Sequence, residues 1–254
     1  MRPLPPLIDV TFIPGVAGEP DWVPFVLDSA ELARWTSLHA TGRPLFLAAH
    51  AGVRMLAALR IAWATDPPSV APELAEFAWV TQPSGKPILT FRDGRPQPLH
   101  VSVSHGGGLA AAAVCDHGPI GIDVERVESR RNLLGIAKRF FAPEEHDALE
   151  RCGPDERTAL FHQWWTRKEA VLKATGDGLR AGLTVRVDGP PDRDGWRRVV
   201  LDGHDAPLFV RDLRTPDLAV FGAIAIDGQP GVVRAMHAWL DVAAGLGPGQ
   251  AQQA

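Results

Sequence analysis

The sequence predicts an α+β fold, and three observations carry that prediction. Strand-like runs at 77–81, 88–91, 99–104, 109–115 and 120–125 succeed one another through turn-rich connections. Between Leu45 and Ala64 the residues Phe46, Ala49, Val53, Leu56, Leu59 and Trp63 recur at three- and four-residue spacing, which is an amphipathic helix, and a longer helix is expected from about Asp155 to Thr175. Strands cluster with strands, so the strict strand–helix alternation of a parallel sheet is excluded.

Taken in order, Leu7–Ile13 has strand character and stops at Pro14-Gly15. Glu31–Leu38 is helical in composition up to Thr41-Gly42, and Pro44 stands where a first helical position belongs. Phe77–Thr81 and Ile88–Phe91 flank a loop, Gln82–Pro87, built of turn formers. Leu99, Val101 and Val103 alternate with His100, Ser102 and Ser104, giving one apolar and one polar face. Leu109–Cys115 is apolar without alternation, as a strand buried on both faces would be, and Ile120–Glu125 alternates again. Leu133–Phe140 reads as a helix, Pro143-Glu144-Glu145 starts another, and Gly176 is placed to stop the long one. Further strands are expected at Leu183–Asp188, Trp196–Leu201, Leu208–Leu213 and Ala219–Ile226, with a disordered tail at Gly245–Ala254.

Composition narrows the function classes. The 254 residues carry 26 Lys+Arg against 30 Asp+Glu, a net charge of −4, and 45% are hydrophobic, which fits a globular chain and excludes disordered and collagen-like ones. Mild acidity argues against nucleic acid as a partner, because phosphates call for a basic surface. Apolar runs such as Leu109–Cys115 fall short of a membrane span, and the first residues lack a signal-like apolar region, so a cytoplasmic protein without a membrane partner is expected. Cys115 and Cys152 form neither a disulfide framework nor a zinc motif. Only four of the basic residues are lysine, Lys86, Lys138, Lys168 and Lys173, which points to sites where a compact ammonium is wanted.

Three constellations could carry chemistry. Asp123 and Glu125, two apart on one strand, share a face, and two adjacent carboxylates call for a cation such as Mg²⁺ that leaves positions for phosphate; a solvated strand face is the plainer alternative. Glu169 and Lys173 are i,i+4 neighbours on the long helix, with Lys168 beside them, a pattern that surface helices also use for stability alone. Ser104-His105 precedes Gly106-Gly107-Gly108, a strand end where a phosphate could approach the backbone or simply a turn.

The order of these segments is more specific than any one of them. Gly85-Lys86-Pro87, Ser102-Val103-Ser104-His105, Gly121-Ile122-Asp123-Val124-Glu125, Phe140-Phe141-Ala142-Pro143-Glu144-Glu145, Trp165-Thr166-Arg167-Lys168-Glu169-Ala170-Val171-Leu172-Lys173 and Gly176-Asp177-Gly178-Leu179 together resemble the 4′-phosphopantetheinyl transferases of the Sfp type, in the W-x-x-K-E-A subgroup. The resemblance implies two similar α+β halves related by a pseudo-twofold, residues 1–118 and 119–244, in a monomer that binds coenzyme A in the cleft between them. It implies that Asp123, Glu125 and Glu169 hold Mg²⁺, with Mn²⁺ as a substitute, against the coenzyme A diphosphate, and that Lys168 and Lys173 contact that diphosphate. Lys86, Ser104 and His105 are then expected at the adenine and 3′-phosphate end. In the N-terminal half, Glu31–Arg43 offers Arg34, His39 and Arg43, of which Arg43 is taken as a coenzyme A contact.

The implied reaction moves 4′-phosphopantetheine to a serine of an apo carrier protein, with Glu169 as general base, Lys173 steadying the leaving phosphate and Asp123 completing the catalytic set. The carrier is expected to dock on Val127–Phe141, using Leu133, Leu134 and Ile136 among Arg130, Arg131, Lys138 and Arg139. Two other classes are weighed against this: a coenzyme A or nucleotide-binding regulatory module, and a Mg²⁺-dependent phosphotransferase acting on a small molecule. Retention of all three carboxylates disfavours the first, and the lack of a P-loop or kinase motif set the second.

Overall fold

The computed structural model describes residues 7–16, 18–64, 71–82, 85–95, 97, 99–128, 132–176 and 184–236. Its elements are β1 (Leu7–Pro14), α1 (Val23–Val26), α2 (Ser29–Ser37), α3 (Arg43–Ala62), β2 (Phe77–Thr81), β3 (Pro87–Phe91), β4 (His100–Gly106), β5 (Leu109–Cys115), β6 (Ile120–Arg126), α4 (Leu133–Phe140), α5 (Pro143–Arg151), α6 (Pro154–Thr175), β7 (Trp196–Val199), β8 (Leu208–Leu213), β9 (Val220–Asp227) and β10 (Val232–Ala235). They form two four-stranded sheets, ordered β10-β1-β5-β4 and β6-β9-β8-β7, and a β2–β3 hairpin. The class is α+β.

The layers follow from which faces are apolar. Val53, Leu56 and Ala57 of α3 cover Val101, Ala112 and Val114 on one face of the first sheet. Its other face sends Ile8, Val10, Ala111 and Ala113 against Ile120, Ile122, Val124 and Ile224 of the second sheet. On the far side Ala170, Val171 and Ala174 of α6 pack on Val210, Ala223 and Ala225. Strand β5 is covered on both faces, and all seven of its residues are buried, which explains its unbroken apolar run.

α3 is long and apolar enough to cross a membrane by length and composition, a property the sequence reading overlooked, but most of it is buried against protein. Its Arg54 is fully buried and donates to Glu31 of α2 at 2.9 Å through Nη1, with a second bond from Nη2. His50 also meets Glu31, and its ring stacks 3.9 Å from that of Phe46. These partners hold Glu31 at a pKa of about 2 against the opposing effect of burial.

Three features differ from expectation. β10, assigned by sequence to the second half, pairs in parallel with β1 and completes the first sheet, with Arg234 bonded to Asp9 at 2.6 Å. No strand forms over 184–188, because its backbone groups go to side chains: Val187 donates its N–H to Glu145, and its carbonyl accepts from Arg167. On the expected docking segment Leu133 is buried in the core, and Leu134 and Ile136 pack against the same core, leaving Lys138 and Arg139 exposed. Arg130, Arg131, Gly178, Leu179 and the expected tail at 245–254 lie outside the described residues. Both cysteines are free thiols.

Candidate active site

β4 and β6 are edge strands of the two sheets, and their free edges meet. An edge strand leaves backbone groups unpaired, and a buried one must find partners elsewhere. Here the N–H of Ile122 donates to Ser102 Oγ at 3.0 Å, and the Ile122 carbonyl accepts from Lys173 Nζ at 3.1 Å. At Gly106 a Cβ would fall 2.5 Å from the carbonyl oxygen of Val124, so only glycine allows β4 to come this close.

The same device seats α6. A Cβ on Gly121 would lie 2.0 Å from the carbonyl oxygen of Ala170 and 2.5 Å from the nitrogen of Ala174, so the helix rests directly on the β6 backbone. That approach brings Lys173 to Asp123, with Nζ to Oδ1 at 2.8 Å. Ser104 donates to the same oxygen at 2.8 Å. Asp123 Oδ2 is buried and, among the described residues, has no hydrogen-bond partner. Such an atom is costly unless something else satisfies it.

A solvated strand face, the plainer alternative for Asp123 and Glu125, does not hold at Asp123, which the close approach of β4 and α6 leaves only 5% exposed. The period of two holds: Ile122 and Val124 enter the core between the sheets, while Gly121 meets α6 on the Asp123 face. Glu125 lies further along that face and is half-buried. Glu169, one helical turn before Lys173, is also half-buried. Burial first, and then the charge of Asp123, push its carboxyl above the ordinary value, with Lys173 opposing them.

A cavity of about 390 Å³ opens beside this cluster, bounded by Lys86, Ser102, Val103, Glu169, Lys173 and Gly176. Lys86 Nζ donates to the Ala174 carbonyl at the C-terminal end of α6, where the helix dipole favours a cation. Its stem covers Gly176, which ends the helix at φ +79°. Near the end of β4, His105 has its pKa pulled down by burial and by the charge of Lys173, with a weaker contribution from Arg34.

Asp123, Glu169, Lys173 and Lys86 therefore come together, with Ser104 behind Asp123. Two expected contacts do not. Lys168 has no exposure and turns away from the cleft to pair with Glu145, Nζ to Oε2 at 2.6 Å. Consecutive residues on a helix project about 100° apart, and here Glu169 faces the cavity while Lys168 faces Glu145. Arg43 caps the end of α2, donating to the carbonyls of Thr36 and Leu38 and pairing with Glu19 at 2.7 Å. Ser104 keeps a place at the site, but its hydroxyl is engaged by Asp123 instead of pointing to an adenine pocket. Sequence reasoning passed over Gly121 and Glu145; a glycine inside a strand and a glutamate in a helix's first turn were the available signals.

Residues 119–216 match the 4′-phosphopantetheinyl transferase superfamily, ACPS. That span contains β6 and α6, which supply Asp123, Glu125, Glu169 and Lys173. The chain is 40% identical over 112 residues to a putative 4′-phosphopantetheinyl transferase of Synechocystis, covering 44% of each protein. It is 36% identical over 141 residues to a 4′-phosphopantetheinyl transferase of Bacillus subtilis, covering 54% of this chain and 58% of that one. With HetI of Nostoc, a 4′-phosphopantetheinyl transferase, it shares 42% identity over 95 residues, 37% of this chain and 40% of that one. The chain thus spans about half the length of the curated relatives it matches.

Proposed function

We propose that this protein transfers 4′-phosphopantetheine from coenzyme A to a serine of an apo carrier protein, releasing adenosine 3′,5′-bisphosphate, as an Sfp-type enzyme. The observation that carries the reading is the buried Oδ2 of Asp123, without a hydrogen-bond partner among the described residues, close behind Glu169 and Lys173, which line the cavity. Like-charged carboxylates brought together out of water fit a hard divalent cation. Asp123 and Glu169 would hold it, with Glu125 further along the strand. Bound there, Mg²⁺ supplies charge neutralisation for a diphosphate.

Each residue then has work set by its surroundings. The serine oxygen attacks the phosphorus next to the pantetheine arm, and the bond from that phosphorus to the diphosphate's bridging oxygen breaks. Glu169, on the wall of the cavity one turn before Lys173, is the carboxylate placed to take the serine proton. Lys173, pinned between Asp123 and the Ile122 carbonyl, presents a fixed positive charge toward the leaving phosphate. Lys86 and His105 serve the nucleotide end.

Incubation with coenzyme A, Mg²⁺ and a panel of apo carrier proteins, followed by mass measurement of the carriers, tests the proposal. A carrier heavier by one phosphopantetheine is the expected result. Binding of coenzyme A with no carrier modified would favour a regulatory module instead.

A further inference from the structure

The buried pair behind α6 has no counterpart in the chemistry just described, yet it is built with care. Glu145 and Lys168 are both without exposure. Glu145 Oε2 also accepts from the Ala142 N–H at 3.1 Å, and Oε1 from the Val187 N–H at 2.9 Å. Lys168 donates to the Val185 carbonyl, and its Nζ stands 4.8 Å from the centre of the Phe141 ring. One ion pair thus ties together the α4–α5 junction, α5, α6 and residues 185–187.

Removing two charges from water is costly, and an apolar pair of the same volume commonly packs as well or better. Stability alone therefore does not account for a buried ion pair. Its geometry supplies another reason. α6 rests on β6 at Gly121, where the helix meets the strand backbone directly. Toward the second sheet its rotation is held by Arg167 on Asp212 and Lys173 on Asp123; on the α5 side it is held by the Glu145–Lys168 pair, whose hydrogen bonds are each directional. Glu169 follows Lys168 in sequence, so any roll at Lys168 displaces the Glu169 carboxylate relative to Asp123.

We propose that Glu145 and Lys168 are positioning residues which set the rotation of α6 and so hold Glu169 in register with Asp123. The proposal rests on the transferase reading for what Glu169 does. It can be examined separately, because the Asp123–Glu169 geometry also governs divalent-cation affinity.

The test uses the full chain with Lys168→Met and Glu145→Leu combined, which replaces the pair by apolar groups of similar size, and Glu145→Gln alone. Melting temperature, kcat and KM for transfer, and Mn²⁺ affinity by electron paramagnetic resonance are measured. In the double variant we expect an unchanged or higher melting temperature, a KM for coenzyme A within threefold, a kcat lowered at least tenfold and Mn²⁺ affinity lowered at least fivefold. Retention of kcat and Mn²⁺ affinity within twofold would show that the pair only packs, and a tenfold rise in the coenzyme A KM with kcat retained would return Lys168 to the diphosphate. Either overturns the proposal. Should the double variant fail to fold, Glu145→Gln, which keeps the shape and one acceptor, is expected to lose at least threefold in kcat and in Mn²⁺ affinity at constant coenzyme A KM; unchanged values overturn it. A wild-type protein that modifies no carrier defeats the transferase reading, and Mn²⁺ affinity then still decides the role of the pair.

Discussion

Lys168 and Glu169 are adjacent on α6, yet their surroundings are opposite in kind. Lys168 meets a carboxylate, a carbonyl and an aromatic face. Glu169 meets a like charge, and among the described residues its carboxylate receives no hydrogen bond and one oxygen of the nearby Asp123 has no partner. A helix face with every charge answered is holding the structure together. A face where charge is left over is waiting for a ligand, and the protein bears that cost within its folded state.

The sharpest way to break this contrast is Asp123→Asn, which removes the charge and keeps the shape. Transfer is expected to fall by about a thousandfold, and the melting temperature to move by only a few degrees, because the lost carboxylate was incompletely satisfied. Mass measurement of carriers and calorimetry check the two halves of that statement. Glu169→Gln is expected to lower kcat about a hundredfold with little change in coenzyme A affinity, since proton transfer is felt only in the transition state. In the metal-free wild type, the ¹³C resonance of the Glu169 carboxyl should titrate above the ordinary glutamate range of about 4.3, so the basic form is lost at a higher pH than for an exposed glutamate.

Lys168→Ala tests the other face. Leaving Glu145 buried without its cation should cost about 3–5 kcal/mol in a urea titration, whereas Glu169→Gln should cost less than about 1 kcal/mol. The paired network of the first sheet gives a smaller effect that depends on pH. Glu31, held at about 2 by His50 and Arg54, contributes stability that is present above the unfolded value near 4.5 and lost as the pH falls from there toward 2. The loss amounts to about 3 kcal/mol, and Glu31→Gln should flatten the acid limb of a stability-versus-pH curve. Smallest of all, Ser104→Ala frees one of two donors to Asp123 Oδ1 and is expected to lower kcat only a few-fold in the same carrier assay.

The sequence made one side of this contrast legible and concealed the other. Alternation along Ile120–Glu125 placed Asp123 and Glu125 on one face because a strand has a fixed period, and the four-residue spacing put Glu169 beside Lys173 for the same reason in a helix. The direction Lys168 takes, toward Glu145, is not legible, because adjacency in a motif says nothing about which way a helical side chain points. Its partner Glu145 is 23 positions away, and long-range pairing leaves no periodic trace. β10 escaped notice for a related cause: a four-residue edge strand, half exposed, has too little apolar pattern to declare itself, and its partner β1 lies at the opposite end of the chain.

That last strand has a consequence for how the molecule is made. β1 is synthesised before every other strand of the two sheets, and the edge that β10 pairs with lacks that partner until residues 232–235 have been synthesised. An unpaired edge exposed during synthesis is a site for misassembly with other nascent chains. The first sheet therefore cannot be completed as an independent early product. Its final hydrogen bonds form only after the second sheet's strands have emerged, and a chain arrested before residue 232 would lack the β10 partner of β1 however well its helices had formed.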